Sequence, residues 1–195
     1  MPLFWETKYQ KDQFRWDLGQ PAPALVDFFA IATALRTGKV FVPGCGRGND
    51  AIFLAQQGLM VTAVDFAPSA IAATATLAQA KNVVVELLET DIFTLPSSYQ
   101  NQFQLLFEHT CFCAIAPEER PKYVNLATTI LAPQGLLFGI FFTHGRTGGP
   151  PFGSTPEEIK ALFASQFEIL TFAPIKNSVP SRQGDEHWAI FRKRS

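Results

Sequence analysis

The chain is poor in the residues that most readily announce chemistry: three cysteines, three histidines and two methionines are spread over 195 positions. Cys45, Cys111 and Cys113 form an odd, sparse set, which supplies no disulfide framework and favours a reducing compartment. The Cys111-x-Cys113 pair sits in an apolar run with no second ligand pair at finger-like spacing, so a buried structural role is expected and no metal site. Net charge is also missing, with 16 Lys+Arg against 17 Asp+Glu, and this removes any broad electrostatic reason to expect nucleic acid or an anionic membrane as partner. No run approaches the roughly 20 apolar residues that span a bilayer. The opening "MPLFWETKYQKDQF" lacks the basic start and apolar stretch of a signal peptide. A cytoplasmic protein with a small-molecule ligand is the expectation.

What is present is apolar bulk: 47% hydrophobic residues, ample for one domain over residues 1–195. Apolar runs alternate with helix-like stretches. Strands are expected at "KVFVPG" (39–44), "LMVTAVD" (59–65), "VVVELLE" (83–89), "FQLLFEH" (103–109), "GLLFGIFF" (135–142), "FEILTFAP" and "EHWAIFRK". Helices are expected at "NDAIFLAQQG", "PSAIAATATLAQAK", "PEERPKYVNLATTIL" and "TPEEIKALFAS". Continuous apolar strands separated by helices indicate a mostly parallel sheet covered on both faces, a doubly wound α/β domain. Ligands of such sheets bind beyond the carboxyl ends of the strands, so the residues just after each strand carry the information.

The first such turn is "VPGCGRGND", where Gly44, Gly46 and Gly48 follow a strand and open a helix. Missing side chains there let a ligand meet backbone N–H groups. Asn49 stands where the dinucleotide fingerprint wants its third glycine, which weakens a nicotinamide reading. Asp65 ends the second strand, where a carboxylate either accepts from both hydroxyls of a ribose or caps the following helix; both readings stay open. Asp91, with apolar Ile92 and Phe93 beside it, suits an adenine, and an ordinary loop acid is the alternative. His109 follows the fourth strand, either as a ligand neighbour or as a structural residue.

Taken together, "FWETKYQKDQFRWDLGQPAP", "VPGCGRGND", "VDFAPSAI", "TDIF", "FCAIAPEERP" and "GGPPF" resemble, in order, the thiopurine methyltransferase superfamily, most closely its halide and thiol methyltransferase branch. The resemblance implies a Rossmann-like class I methyltransferase fold, a seven-stranded mostly parallel sheet with an antiparallel C-terminal strand. It implies S-adenosyl-L-methionine as cofactor and S-adenosyl-L-homocysteine as product. Residues 1–24 would form an aromatic lid that brings Trp5, Tyr9 and Trp16 to the cofactor, in keeping with the attraction of aromatic faces for a sulfonium. Gly44, Gly46 and Asp65 would contact the cofactor, Asp91 and Ile92 would lie at the adenine, and His109 would border it. The sequence departs from the pattern at Tyr9, where many relatives have tryptophan, and at His109, where the plant halide branch has tyrosine.

Methyl transfer from a sulfonium to an anion is an in-line displacement that needs desolvation and alignment, with no obligatory general base. No catalytic residue is therefore expected, and none of His109, His144 and His187 lies in a nucleophile motif. The acceptor would be a halide, thiocyanate, hydrosulfide or thiol, selected by Phe112, Phe152 and Arg146. Arg146 either draws an anion into the cleft or is a solvated loop arginine. A monomer or weak homodimer is expected. Two rivals use the same sheet: a nicotinamide-dependent oxidoreductase and a non-catalytic adenosine-binding module.

Overall fold

The computed structural model describes residues 2–195, and the chain falls into two compact units, Met1–Leu95 and Pro96–Ser195. The first begins with two helices that the sequence reading did not place. Helix α1 spans Pro2–Gln10 and sets Trp5 and Tyr9 four residues apart, hence on one face. Helix α2 spans Pro23–Ile31, with proline at its first position and Leu25 and Phe29 buried one turn apart. Strands β1 (Lys39–Pro43), β2 (Met60–Asp65) and β3 (Val85–Glu89) follow, joined by helices α3 (Asn49–Gln56) and α4 (Pro68–Ala80).

These three strands lie in the order β3-β2-β1 and all run parallel. Val40, Phe41, Ala63 and Val64 are buried, as a strand covered on both faces requires. Full burial of a side chain such as Phe41 is worth about 1.5–3 kcal/mol. The register sets Pro43 opposite Val64 and Asp65 opposite Glu89. That alignment brings the glycine turn after β1 and the Asp65 carboxylate to one edge. β3 begins at Val85 rather than Val83, and Glu86 on it is exposed, so this strand is only half covered.

The second unit holds β4 (Phe103–His109), α5 (Arg120–Ile130), β5 (Leu131–Phe142), α6 (Pro156–Phe163), β6 (Phe167–Pro174) and β7 (Glu186–Lys193). Its strands are ordered β4-β5-β7-β6; β4 and β5 are parallel, and β7 runs antiparallel to both neighbours. The antiparallel C-terminal strand is thus where the sequence reading put it. Strand β5 starts four residues earlier than "GLLFGIFF". Its first part carries Gln134 at φ 62° and a register irregularity opposite Phe103 to Leu105, a bulge hidden behind the turn-like "APQG". The core of this unit is aromatic: Phe112, Phe141, Phe163 and Phe191 stack edge-on or tilted at centroid distances of 5.2–5.9 Å. Each such pair adds about 0.5–1.5 kcal/mol beyond its burial.

Candidate functional site

In the first unit the chain turns sharply after β1. Gly44, Gly46 and Gly48 all adopt left-handed φ (57°, 56° and 81°), a conformation that costs a side chain and suits glycine. Gly48 is doubly constrained, since a Cβ there would lie 2.5 Å from Thr74 Cγ2 on α4. The turn is tied down by its own backbone: Cys45 N–H donates to Val64 O, Gly48 N–H donates to Cys45 O, and the Thr74 hydroxyl donates to Gly46 O.

Asp65, nearly buried at the end of β2, accepts from Gly46 N–H at 3.0 Å and from Ala67 N–H at 2.9 Å. It therefore braces the turn into α4 by holding the N–H of Ala67, without capping a helical N–H, while each oxygen keeps acceptor capacity for a hydroxyl. Burial raises its pKa above the ordinary carboxylate value, against the lowering by those backbone donors. Asp91 caps the short 3-10 turn Ile92–Thr94 by accepting from Phe93 N–H, and Ile92 beside it is buried.

The aromatic N-terminal residues come together in the same unit. Trp5 meets Trp16 edge-on at 5.0 Å, Tyr9 meets Trp16 edge-on at 5.6 Å, and Tyr9 stacks on Phe14 at 6.0 Å. A Cβ on Gly46 would lie 3.2 Å from the Tyr9 hydroxyl, so this cluster abuts the glycine turn. Burial, and then the nearby Asp65 carboxylate, push the Tyr9 hydroxyl up and keep it protonated.

Sequence reasoning missed what holds this cluster in place. Glu6 on α1 accepts from both the backbone N–H and the hydroxyl of Ser69, supplying the start of α4 with a cap that Ala67 does not. Asp17 accepts from Asn49 Nδ2 at 2.8 Å and pairs with Arg47 at 3.3 Å, while Ala22 N–H donates to Asp50. A helix start lacking its own cap was a readable signal for the first of these; the second had none.

In the second unit, His109 closes β4 with its Nε2 3.0 Å from Nη1 of Arg182, a residue the sequence reading did not single out. Arg182 is buried and pairs at 3.3 Å with buried Glu186, which also accepts from Ser178. Glu108, next to His109, is buried too. It accepts from Phe112 N–H at 2.7 Å and from the Tyr123 hydroxyl, and burial raises its carboxyl to about 7.

Phe112 is 2% exposed and packs against Tyr123, Phe141 and Phe163, with the Arg120 guanidinium 4.8 Å from its ring. Phe152 is half-buried; its N–H donates to Cys113 O and its carbonyl accepts from Arg120. Arg146 pairs with Asp185 at 2.7 Å with more than half its side chain exposed, which favours the solvated loop arginine over the anion guide. Cys113 is a free, buried thiol pushed up to about 12 by burial, and among the described residues no three His, Cys, Asp or Glu side chains gather as a metal-binding group. Nor, among those residues, is any helix long and apolar enough to cross a membrane.

Comparison with known proteins gives this geometry a family. Among solved structures, a Burkholderia thailandensis 1,6-didemethyltoxoflavin-N1-methyltransferase with bound S-adenosylhomocysteine superposes with a TM-score of 0.77 at 21% identity, covering 100% of this chain and 87% of that one. A magnesium protoporphyrin IX methyltransferase from Synechocystis PCC 6803 with bound SAM gives 0.70 at 17% identity, over 88% and 78%. Both establish the α/β fold expected from the sequence. A probable thiol methyltransferase 2 of Arabidopsis thaliana is 31% identical over 98% of this chain and 85% of its own length. Thiocyanate methyltransferase 1 of the same plant is 30% identical over 97% and 84%, and a thiopurine S-methyltransferase of Shewanella sp. (strain W3-18-1) is 28% identical over 88% and 86%. With residues 2–194 matching the thiopurine S-methyltransferase family, the chain belongs to that family.

Proposed function

We propose that the chain is an S-adenosylmethionine-dependent methyltransferase whose acceptor is a small soft nucleophile: a halide, thiocyanate, hydrosulfide or thiol. The observation that carries this reading is the joining, in one unit, of the left-handed glycine turn, the Asp65 carboxylate hydrogen-bonded to it, and the cluster of Trp5, Tyr9 and Trp16 packed beside it. These residues fit an adenosyl sulfonium. Gly44 and Gly46 offer backbone at close approach, Asp65 has acceptor capacity for ribose hydroxyls, Asp91 and Ile92 suit the adenine, and aromatic faces suit the cation. Of the residues expected at the acceptor, Phe152 is half-buried, whereas Phe112 is buried in the aromatic core of its unit and Arg146 is held by Asp185 at the surface.

When bound, the cofactor supplies an electrophilic methyl group on a positively charged sulfur. The protein's own contribution is then alignment and exclusion of water, with no residue required to move a proton for an anionic acceptor. The cytosolic setting and the monomer or weak homodimer belong to the same reading. Incubation with methyl-labelled S-adenosylmethionine and a panel of iodide, thiocyanate, hydrosulfide and thiophenols tests it. Methylated product from at least one anion is expected; none from any member of the panel contradicts the reading.

A further inference from the structure

We propose that Glu6 is a positioning residue that builds the aromatic side of the cofactor site in advance, by docking α1 on the start of α4. This rests on the methyl-transfer reading above, and every residue it involves lies in the first unit. A helix of nine residues is marginal in water by itself, so α1 stands only where other parts of the chain hold it. Apolar burial contributes little near its beginning, where Leu3 is 79% exposed and Phe4 44%. The polar tie is Glu6. Its Oε1 accepts from the Ser69 hydroxyl at 2.6 Å and from Gln10 Nε2 at 2.9 Å, and its Oε2 accepts from Ser69 N–H at 3.1 Å.

The start of α4 calls for that carboxylate. Pro68 has no N–H, and the N–H groups of Ala70 and Ile71 both donate to Ala67 O. Ser69 N–H is the donor left over in the first turn, and an anion beside it is also favoured by the helix dipole. Tyr9, three residues beyond Glu6, shares its face of α1. The Tyr9 hydroxyl in turn lies where a Cβ on Gly46 would meet it at 3.2 Å, so the side chain that docks the helix and the one that reaches the glycine turn move as one body. Glu6 and Ser69 are both protein groups, and their contact needs no ligand. A cofactor reaching the turn therefore finds Tyr9 already in place, with Trp16 edge-on against it. Without Glu6, the ordering of α1 is subtracted from the binding free energy, and apparent affinity falls in proportion to the fraction of molecules in which α1 is docked.

Calorimetric titration with S-adenosylhomocysteine, joined to trypsin cleavage at Lys8 and Lys11, tests this on the full chain. The wild type is expected to resist cleavage equally with and without S-adenosylhomocysteine. Glu6→Ala should be cut faster when alone and protected by S-adenosylhomocysteine, and should bind it roughly tenfold more weakly, with a less favourable binding entropy. Glu6→Gln, whose amide oxygen still accepts from Ser69, should lose only about threefold. Should Glu6→Ala fail to fold, Ser69→Ala removes the hydroxyl donor from the other side of the contact, with about a threefold loss and the same protection by ligand expected. Unchanged affinity in the variant, or cleavage of the variant that S-adenosylhomocysteine does not slow, overturns the inference while leaving the methyl-transfer reading intact. Absence of S-adenosylhomocysteine binding by the wild type overturns that reading itself, and this role with it.

Discussion

The two units hold their candidate residues by different means. In Met1–Leu95 the fixed points are backbone groups: a turn of left-handed glycines, and the carboxylates of Glu6 and Asp65 accepting from N–H groups of Ser69, Gly46 and Ala67. In Pro96–Ser195 they are buried side-chain pairs, Arg182 with Glu186 and His109, and Glu108 with Tyr123. A site made of backbone leaves its mark in glycine spacing and strand ends. A site made of distant side-chain pairs leaves almost none.

The largest expected effect sharpens that contrast. Glu186→Ala removes the buried counter-charge of the Arg182 guanidinium and should cost about 3–5 kcal/mol of stability in denaturant unfolding. Asp17→Ala in the first unit leaves Arg47, which is 45% exposed and can turn to water, so about 1–2 kcal/mol is expected. Equal losses would erase the distinction. Next in size is the glycine comparison. Gly48→Ala puts a Cβ against Thr74 in a left-handed conformation and should cost about 2–3 kcal/mol. Gly145→Ala in the second unit meets open space and should change unfolding by less than about 0.5 kcal/mol. A neutral Gly48→Ala would show that the turn is not under steric demand.

The pH dependences contributed by Glu108 in the second unit and Glu6 in the first should have opposite sign. Burial lifts Glu108 from the ordinary 4.5 to about 7, so its contribution is fully present below 4.5 and is lost as pH rises through about 7. Glu108→Gln should flatten that decline, a difference on the order of 2 kcal/mol between pH 5 and pH 8 in thermal or denaturant unfolding. An unchanged slope would mean that the carboxyl ionises freely where it is. Glu6 behaves the other way: the Ser69 hydroxyl, then its backbone N–H, hold the carboxylate below its ordinary value. Its contribution is present above 4.5 and fades as pH falls beneath that. The effect is the smallest of the four, and proteolysis at Lys8 and Lys11 should rise on acidification in the wild type and be pH-insensitive in Glu6→Gln.

Much of the fold was legible because its strands are local and apolar. Strand β4 falls at residues 103–109 as expected, and the helices from Asn49 and from Pro68 begin where an acidic first turn or a proline marks them. The glycine turn and Asp65 were legible for the same reason: both follow directly from strand ends. Helix α1 escaped notice because its aromatics read as a lid rather than as an i, i+4 pair, although Trp5 and Tyr9 carried that spacing. The start of β5 was hidden by a bulge at a proline-containing segment. Glu6 left only the trace of an uncapped helix start 63 residues on, while Asp17, Glu108 and the Arg182–His109 contact could not be found from sequence, because their partners lie 32, 15 and 73 residues away and nothing local specifies those contacts.

The proposed function requires the glycine turn and Asp65 to hold an adenosyl sulfonium. Calorimetric titration of the wild type and of Asp65→Ala with S-adenosylhomocysteine, and separately with NAD, tests this most directly. Binding of S-adenosylhomocysteine by the wild type, weakened about 100-fold or more in Asp65→Ala, with no heat from NAD, is the predicted result. Binding of NAD in preference to S-adenosylhomocysteine, or S-adenosylhomocysteine affinity indifferent to Asp65, would contradict it.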